Sequence, residues 1–404
     1  MQEIDYRDQS GAARRAVWLA SAAPAPSRVG LAGDGTSAEA ALRRLRSGES
    51  LLYQGDWRNA RQLLAALGRR LARRAARPAG SRPDLARLWE AERARRLLEH
   101  QVLSGLLVPL EPDLGVPLAR APDLREALLG ALGAPPGRPG LLPLREVLGM
   151  VGAHEWRRTG VFVPALSGRV HPHWGVFAPV RGDHVDLLAR ALESFPAQGR
   201  IAFDVGTGTG VLAVLLARAG ARVVATDAEP RAVACALENA ERLGVQGRVE
   251  VIRADLFPPG RADLVVMNPP WIPGEAHTPL ERAVYDPGGR TLQRFLEGLT
   301  GHLLPGGEGW LLISDLAEHL GLRPPGALRA AIARAGLGVR ASLEARPSHP
   351  RARDSGDPLH LARSREKTLL YRLTASGAGD AARSDTDRST SETGRRGVGR
   401  TASP

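Results

Sequence analysis

RIAFDVGTGTGVLAVLLARAG, residues Arg200–Gly220, is the stretch on which the fold turns. An apolar run, Ile201–Val205, is followed by glycines at alternate positions, Gly206, Gly208 and Gly210, and then by a Leu- and Ala-rich helix-forming run. Glycine lets a backbone turn sharply and lets a ligand approach it closely. A strand that ends in such a loop and feeds a helix opens a parallel sheet covered by helices. The pattern then repeats. The strands RIAFDV, ARVVATD, RVEVIRAD, ADLVVMN and GEGWLLISD alternate with the helices GVLAVLLARAG, EPRAVACALENAERLG and RTLQRFLEGLTGHLLP. Near-continuous apolar strands between amphipathic helices mean a sheet buried on both faces. A helix near Pro325–Gly336, a strand near Val339–Ala345, an Arg/His/Pro-rich loop over 345–367 and the strand TLLYRLT follow. The expected fold class is α/β, with a doubly wound, mostly parallel sheet over residues 199–375.

In such a sheet ligands bind at the carboxyl ends of the strands. Four strand ends carry chemistry. The first is the glycine loop, with Thr207 inside it and Asp204 just before it. Asp227 ends the second strand, at the distance where a carboxylate accepts hydrogen bonds from ribose hydroxyls. Asp255, followed by Leu256, ends the third, where an adenine amino group is within reach. The fourth strand ends in Asn268-Pro269-Pro270-Trp271. A glycine loop and an acidic residue alone fit a dinucleotide equally well. The G-x-G-x-G spacing differs, however, from the dinucleotide G-x-G-x-x-G, and Asp204 would repel a pyrophosphate while suiting a cationic amino group. S-adenosylmethionine, with a ribose, an ammonium and a sulfonium but no phosphate, matches. The expected cofactor-binding residues are Asp204, Gly206, Thr207, Gly208, Gly210, Asp227, Asp255, Leu256 and Asn268.

With these motifs in order, residues 200–314 resemble a class I S-adenosylmethionine-dependent methyltransferase carrying the N-P-P-aromatic motif of enzymes that methylate amino and amide nitrogens. DVGTGTG, ENA, ADLF and NPPW at these spacings are similar to the methyltransferase small domain group and to the release factor glutamine methyltransferases (HemK/PrmC). The resemblance implies a Rossmann-like seven-stranded sheet with an α-helical N-terminal domain. It also implies a Pro-Arg-x-acid element before the glycine loop, matched loosely by APVRGDHVDLL through Pro179, Arg181 and Asp183, so that Arg181 and Asp183 are candidate substrate residues. Asn268, Pro269, Pro270 and Trp271 become the candidate catalytic set. The Asn268 side-chain carbonyl and a proline backbone carbonyl accept the two N–H bonds of a planar nitrogen, and Trp271 covers its plane. The sequence departs from the group in four places. It has Trp where Tyr is usual, no clear copy of the substrate segment in IPGEAHTPLERAVYDPGG, a longer N-terminal part, and an additional Arg/His-rich loop near 345–367.

The expected activity is therefore methyl transfer to an amide or amino nitrogen, with a protein glutamine of a translation factor as target. The alternative is a base in rRNA or another nucleic acid, because a flat base satisfies the same motif. An NAD-binding oxidoreductase is disfavoured by the glycine spacing and the NPPW ending, and a non-catalytic RNA-binding protein by the intact motifs. The formal charge of +12 favours acidic partners such as RNA. Yet every basic residue except Lys367 is arginine, amid abundant Ala, Gly and Pro, a usage that a GC-rich coding sequence produces unaided.

The remaining segments read as follows. Residues 1–37 are Ala/Pro/Gly/Ser-rich and are expected to be a disordered tail, as is the Ser/Thr/Arg/Gly-rich segment 376–404. Residues 38–152 show helical periodicity: Trp57, Leu63, Leu64, Leu67 and Leu71 fall on one stripe, and LARLWEAERARRLLEHQVLSGLLVPL continues it. Residues 153–198 read as a β-hairpin and a connecting helix. His171 and His173 form an H-x-H pair, better read as structural than as ligands because no acidic or Cys partner is near in sequence; no metal is expected. The only cysteine, Cys235, leaves no internal disulfide. RRAVWLASAAPAP follows a long segment bearing both charges, so it is not expected to be a secretion signal. No apolar run is long enough for a membrane span. The expected location is the cytoplasm.

Overall fold

The computed structural model describes residues 2–73, 84–276, 278, 280–346 and 354–376. Among these the strands assemble two large sheets.

The first part of the chain runs β1 (Glu3–Arg7), β2 (Ala13–Trp18), β3 (Val29–Ala32), α1 (Ala38–Arg46), β4 (Ser50–Tyr53), α2 (Trp57–Arg73), α3 (Leu85–Ser104), β5 (Leu106–Leu110), α4 (Arg125–Leu132), β6 (Gly140–Pro143) and α5 (Leu144–Thr159). Its six strands form one mixed sheet in the order β1-β2-β6-β5-β4-β3. Two expectations are corrected here. Residues 1–37 are not a tail: they supply three of those strands. The N-terminal domain is not purely helical, since its helices pack on a sheet. Neighbouring leucines on each strand point to opposite faces. Leu51, Leu106 and Leu142 join the helices, while Leu52, Leu107 and Leu141 pack with Ile4, Ala16 and Trp18. All six leucines are fully buried. Strands of four or five residues, covered on both faces and built from Leu, show no alternation, so GLLVPL reads as the continuation of α3 when it is β5.

The second part begins with a hairpin, β7 (Val161–Val163) and β8 (Gly168–Val170), followed by α6 (Asp183–Leu192). Then come β9 (Ile201–Val205), α7 (Val211–Arg218), β10 (Arg222–Asp227), α8 (Pro230–Arg242), β11 (Val249–Arg253) and β12 (Ala262–Met267). A short parallel pair, β13 (Ile272–Pro273) and β14 (Tyr285–Asp286), precedes α9 (Arg290–Leu299), β15 (Leu303–Ser314), α10 (Leu316–His319), α11 (Ala327–Arg334), β16 (Leu337–Ala345), α12 (His360–Arg363) and β17 (Thr368–Ala375). The expected doubly wound sheet is present. It has seven strands in the order β11-β10-β9-β12-β15-β17-β16, all parallel except β17. One face packs Ala202, Val223, Val266 and Leu312 against α6, α7 and α8; the other packs Phe203, Val265, Leu311 and Tyr371 against α9 and α11.

In the loop read over 345–367, residues 347–353 lie outside the described residues. Past them the chain is anchored by α12, where Leu359 and Ala362 are fully buried. The tail expected over 376–404 lies, apart from Ser376, outside the described residues. Strand order reverses between β9 and β12, which opens a crevice at their carboxyl ends.

Candidate active site

That crevice is a cavity of about 950 Å³, walled by the segments that follow β9, β10, β11 and β12. The glycine loop forms one wall. Gly206, Gly208 and Gly210 have φ of 72°, 56° and 82°. A Cβ on Gly206 or Gly208 would enter open space, whereas a Cβ on Gly210 would lie 3.2 Å from Ala236 of α8. The first two glycines keep the wall bare for a ligand; the third lets α7 and α8 pack closely and does not itself line the cavity. Thr207 hangs the loop in place. Its N–H donates to the Thr226 carbonyl at 2.8 Å, and its hydroxyl donates to Asp204 Oδ2 at 2.6 Å.

Asp204 lies behind this loop rather than on the cavity wall, and is fully buried. Its Oδ2 accepts from Thr207 and from the Ala213 N–H at 3.0 Å, while Oδ1 has no hydrogen-bond partner among the described residues. Burial pushes its pKa up to about 6. Asp227 does reach the wall. Its oxygens accept from the N–H groups of Gly208 and Glu229, both at 3.0 Å. A carboxylate has about four acceptor sites, so capacity remains for a diol. Burial raises the pKa of Asp227 against those bonds. Asp255 sits on the rim, 70% exposed, with its carboxylate engaged by Arg294 at 2.9 Å. Leu256, beside it on the wall, has a φ of 74°, and its carbonyl accepts from the Thr226 hydroxyl at 2.5 Å. A left-handed leucine costs ~1–2 kcal/mol; such strain is concentrated at ligand clamps.

Asn268, Pro269, Pro270 and Trp271 form the opposite wall. The Trp271 indole N–H donates to Asn268 Oδ1 at 2.8 Å. Indole nitrogen is only a donor, so the contact assigns the amide: its oxygen faces the indole and keeps a second lone pair. The prolines fix the backbone φ and hold their carbonyls in place. Beyond the motif the chain is tied by the Ile272 N–H to the Val284 carbonyl at 3.0 Å. Arg181 lines the cavity, with its guanidinium carbon 5.4 Å from the Trp271 ring centroid. Asp183 is buried in the first turn of α6, 3.8 Å from Arg181 Nε, and does not reach the wall.

Sequence reasoning missed several wall residues. His184 is buried edge-on to Trp271, with ring centroids 6.5 Å apart. Burial holds its pKa down at about 4, so the imidazole is neutral at physiological pH. Its place on the apolar side of α6 was the available signal. Ser21 reaches the cavity from the segment that follows β2, tied by its N–H and hydroxyl to Glu146. Arg282, after the motif, pairs at 2.5 Å with Glu229, after β10, bringing two walls together. Helix α3 supports the motif from outside: Trp89 packs with Ile272 and Leu316, and Arg93 lies 4.1 Å over the Tyr285 ring.

The H-x-H pair takes separate partners. His171 Nδ1 is 2.6 Å from the Arg157 carbonyl, and His173 Nε2 is 2.6 Å from Glu238 Oε2. No group of three or more His, Cys, Asp or Glu placed to hold a metal occurs among the described residues, and none of their helices is long and apolar enough to cross a membrane.

Residues 167–323 match the methyltransferase small domain family. A ribosomal protein L11 methyltransferase of Pelotomaculum thermopropionicum is 38% identical over 156 residues, 33% of this chain and 50% of the relative. A release factor glutamine methyltransferase of Bordetella pertussis is 34% identical over 265 residues, 57% of this chain and 92% of the relative. A ribosomal RNA small subunit methyltransferase C of Alcanivorax borkumensis is 36% identical over 143 residues, 34% of this chain and 40% of the relative. The chain spans about half the length of the L11 methyltransferase and of other curated relatives it matches.

Proposed function

As the chain belongs to the class I S-adenosylmethionine-dependent methyltransferases, in the methyltransferase small domain family, we propose that it methylates a planar amide nitrogen, a glutamine side chain of a translation release factor. The observation that carries this reading is the Asn268 carboxamide, oriented by the Trp271 N–H at 2.8 Å and facing the glycine loop across one cavity. A release factor glutamine methyltransferase is matched over 92% of its length.

The residues fit S-adenosylmethionine. Gly206 and Gly208 leave open space where a Cβ would stand. Asp227 keeps acceptors for ribose hydroxyls, and the backbone at Asp255–Leu256 is held in a strained turn beside the cavity. Asp204, behind the loop, holds its shape by accepting from the Thr207 hydroxyl and the Ala213 N–H. When bound, the cofactor supplies an electrophilic methyl group on a sulfonium.

The protein's own residues prepare the nitrogen. An amide nitrogen is a weak nucleophile because its lone pair is delocalised into the carbonyl. Asn268 Oδ1 and a carbonyl of Pro269 or Pro270 accept its two N–H bonds, which fixes the plane and turns the lone pair into the cavity. Accepting both hydrogen bonds also raises electron density on nitrogen, and one N–H proton leaves to solvent once the methyl is attached. Trp271 stacks on the plane. Acceptors held by proline rings and by the indole need no reorganisation, and orientation supplies much of the rate.

A second reading is a nucleic-acid base as target. The charge of +12 favours it, and a ribosomal RNA methyltransferase is among the relatives. One experiment decides. Labelled methyl groups are transferred from S-adenosylmethionine to fractionated cell extract, which is then digested. Protease-sensitive, nuclease-resistant label supports the glutamine reading; nuclease-sensitive label overturns it in favour of RNA or DNA.

A further inference from the structure

Glu366 stands outside the residues matched by the family and outside the cavity, yet it is 1% exposed. A buried carboxylate is retained at a cost unless it is paired and hydrogen-bonded. Here Oε1 accepts from Arg181 Nη2 at 2.9 Å and from the Ser314 hydroxyl at 2.8 Å. Ser314 is the last residue of β15, and its Oγ in turn accepts from the Leu316 N–H at 3.0 Å. The segment bearing Glu366 is pinned to the same strand end. The Lys367 N–H donates to Asp315 Oδ1 at 2.7 Å, the Asp315 N–H donates to the Lys367 carbonyl at 3.1 Å, and Thr368 pairs in register with Ser314. The carboxylate is therefore fixed to the sheet.

Arg181 and Trp271, by contrast, both lie on irregular segments. Arg181 is held by Glu366 at one end, and its guanidinium carbon lies 5.4 Å from the Trp271 ring centroid. The Trp271 N–H then holds Asn268 Oδ1. A chain of contacts runs from the sheet to the amide that receives the substrate: Ser314, Glu366, Arg181, Trp271, Asn268. Site residues on loops need such a supporting contact from a rigid element.

We propose that Glu366 is a positioning residue for methyl transfer, anchoring Arg181 against Trp271 so that the indole and Asn268 hold one geometry. This rests on the N-methyltransferase reading, and the test separates the two. Glu366→Gln keeps the side chain's length and an acceptor for Ser314 but removes the nearer of the two carboxylate charges beside Arg181, leaving Asp183 at 3.8 Å. Arg181→Met removes the guanidinium. Full-length protein is assayed with tritiated S-adenosylmethionine and purified unmethylated release factor. In parallel, 5-fluorotryptophan-labelled protein is followed by ¹⁹F NMR, with the Trp271 signal assigned by Trp271→Phe. Glu366→Gln is expected to lower kcat/KM about tenfold, mainly in kcat, with cofactor Kd from calorimetry changed less than twofold. It should also shift or broaden the Trp271 resonance, as should Arg181→Met. The double variant should be no slower than Arg181→Met alone, because coupled residues are non-additive. Lys367→Ala, which breaks only the exposed pair with Glu344, should match wild type in both readouts.

An unchanged Trp271 resonance in Glu366→Gln, or losses that multiply in the double variant, overturns the proposal. If wild type binds the cofactor but methylates nothing, the functional reading fails, and the resonance alone still decides the positioning. Should Glu366→Gln fold poorly, Ser314→Ala, which removes one donor to the same oxygen, is expected to shift the resonance in the same direction with about a threefold loss of rate.

Discussion

Trp271→Phe tests the site at its most specific contact. The substitution keeps an aromatic face over the target plane and removes the N–H that holds Asn268 Oδ1 at 2.8 Å. A neutral hydrogen bond of this kind is worth ~0.5–1.5 kcal/mol net. The guanidinium of Arg181, 5.4 Å from the indole centroid, loses part of a cation–π contact worth ~0.5–1 kcal/mol at a partly exposed site. Together they come to ~1–2 kcal/mol, or about 5- to 30-fold in kcat/KM. Asn268→Ala removes an acceptor that engages the reacting nitrogen. By analogy with deletion of one preorganised oxyanion donor, it should cost roughly 10²–10³-fold. Cofactor affinity should be nearly unchanged in both, since neither substitution touches the glycine loop or Asp227. The assay is label transfer from S-adenosylmethionine, with affinity by calorimetry. Asn268→Ala turning over within threefold of wild type refutes the assignment of Asn268. Trp271→Phe as fast as wild type refutes the orienting role of the indole N–H, because the retained aromatic face would then suffice without the hydrogen bond.

Three further outcomes follow from the same geometry. Burial raises the Asp204 carboxyl from 3.8 to about 6, so the folded state holds its proton longer than the unfolded state. The group's contribution is most favourable below about pH 4 and is lost as pH rises through about 6, by an amount on the order of 3 kcal/mol in all. Urea unfolding of cofactor-free protein at pH 4.5 and 7.5 should show a smaller loss of stability in Asp204→Asn than in wild type, and equal losses would contradict the burial argument. Gly208→Ala places a Cβ in the ligand's space at a φ of 56°; cofactor affinity should fall more than tenfold, while thermal denaturation shows only the ~1–2 kcal/mol of left-handed strain. Trp89→Ala empties an 8%-exposed site against Ile272 and Leu316. It should destabilise by ~3–5 kcal/mol in chemical denaturation and also lower kcat, whereas full activity in the folded variant would show that α3 does not support the motif.

The site was legible where chemistry sits at the ends of consecutive strands. Gly206, Gly208, Asp227, Leu256 and Asn268–Trp271 are each adjacent to a strand, and a doubly wound topology brings such ends to one rim whatever the intervening helices contain. Asp204 shows the limit of that reasoning. Its place before the loop is plain in the sequence. Whether its side chain faces the ligand or the core depends on the pleat, and the structure turns it into the core, where it braces Thr207 and α7. His184 left only its place on the apolar side of α6 as a signal, and Ser21 and Glu366 were not legible at all. They enter from α6, from a segment that reads as a tail, and from the far side of β15, and their relevance comes from tertiary contacts with no local pattern.

The N-terminal sheet escaped for a different physical reason, and that reason bears on function. Its central strands are leucine pairs buried on both faces, and leucine favours helices; only partners far apart in sequence, such as β2 with β6, make them strands. The result is a rigid unit against which α3 is fixed, and α3 carries Trp89 and Arg93 to the segments β13 and β14 just beyond NPPW. A wholly helical domain could sit beside the catalytic sheet without touching the motif. This one reaches the site through α3 behind the fourth strand end and through Ser21 on the cavity wall. It also touches the segment after Asp227, where Arg231 Nη2 donates to the Ala131 carbonyl of α4 at 2.9 Å. Differences in the N-terminal domain should therefore act on both walls of the cavity, the one that carries the NPPW motif and the one that follows Asp227.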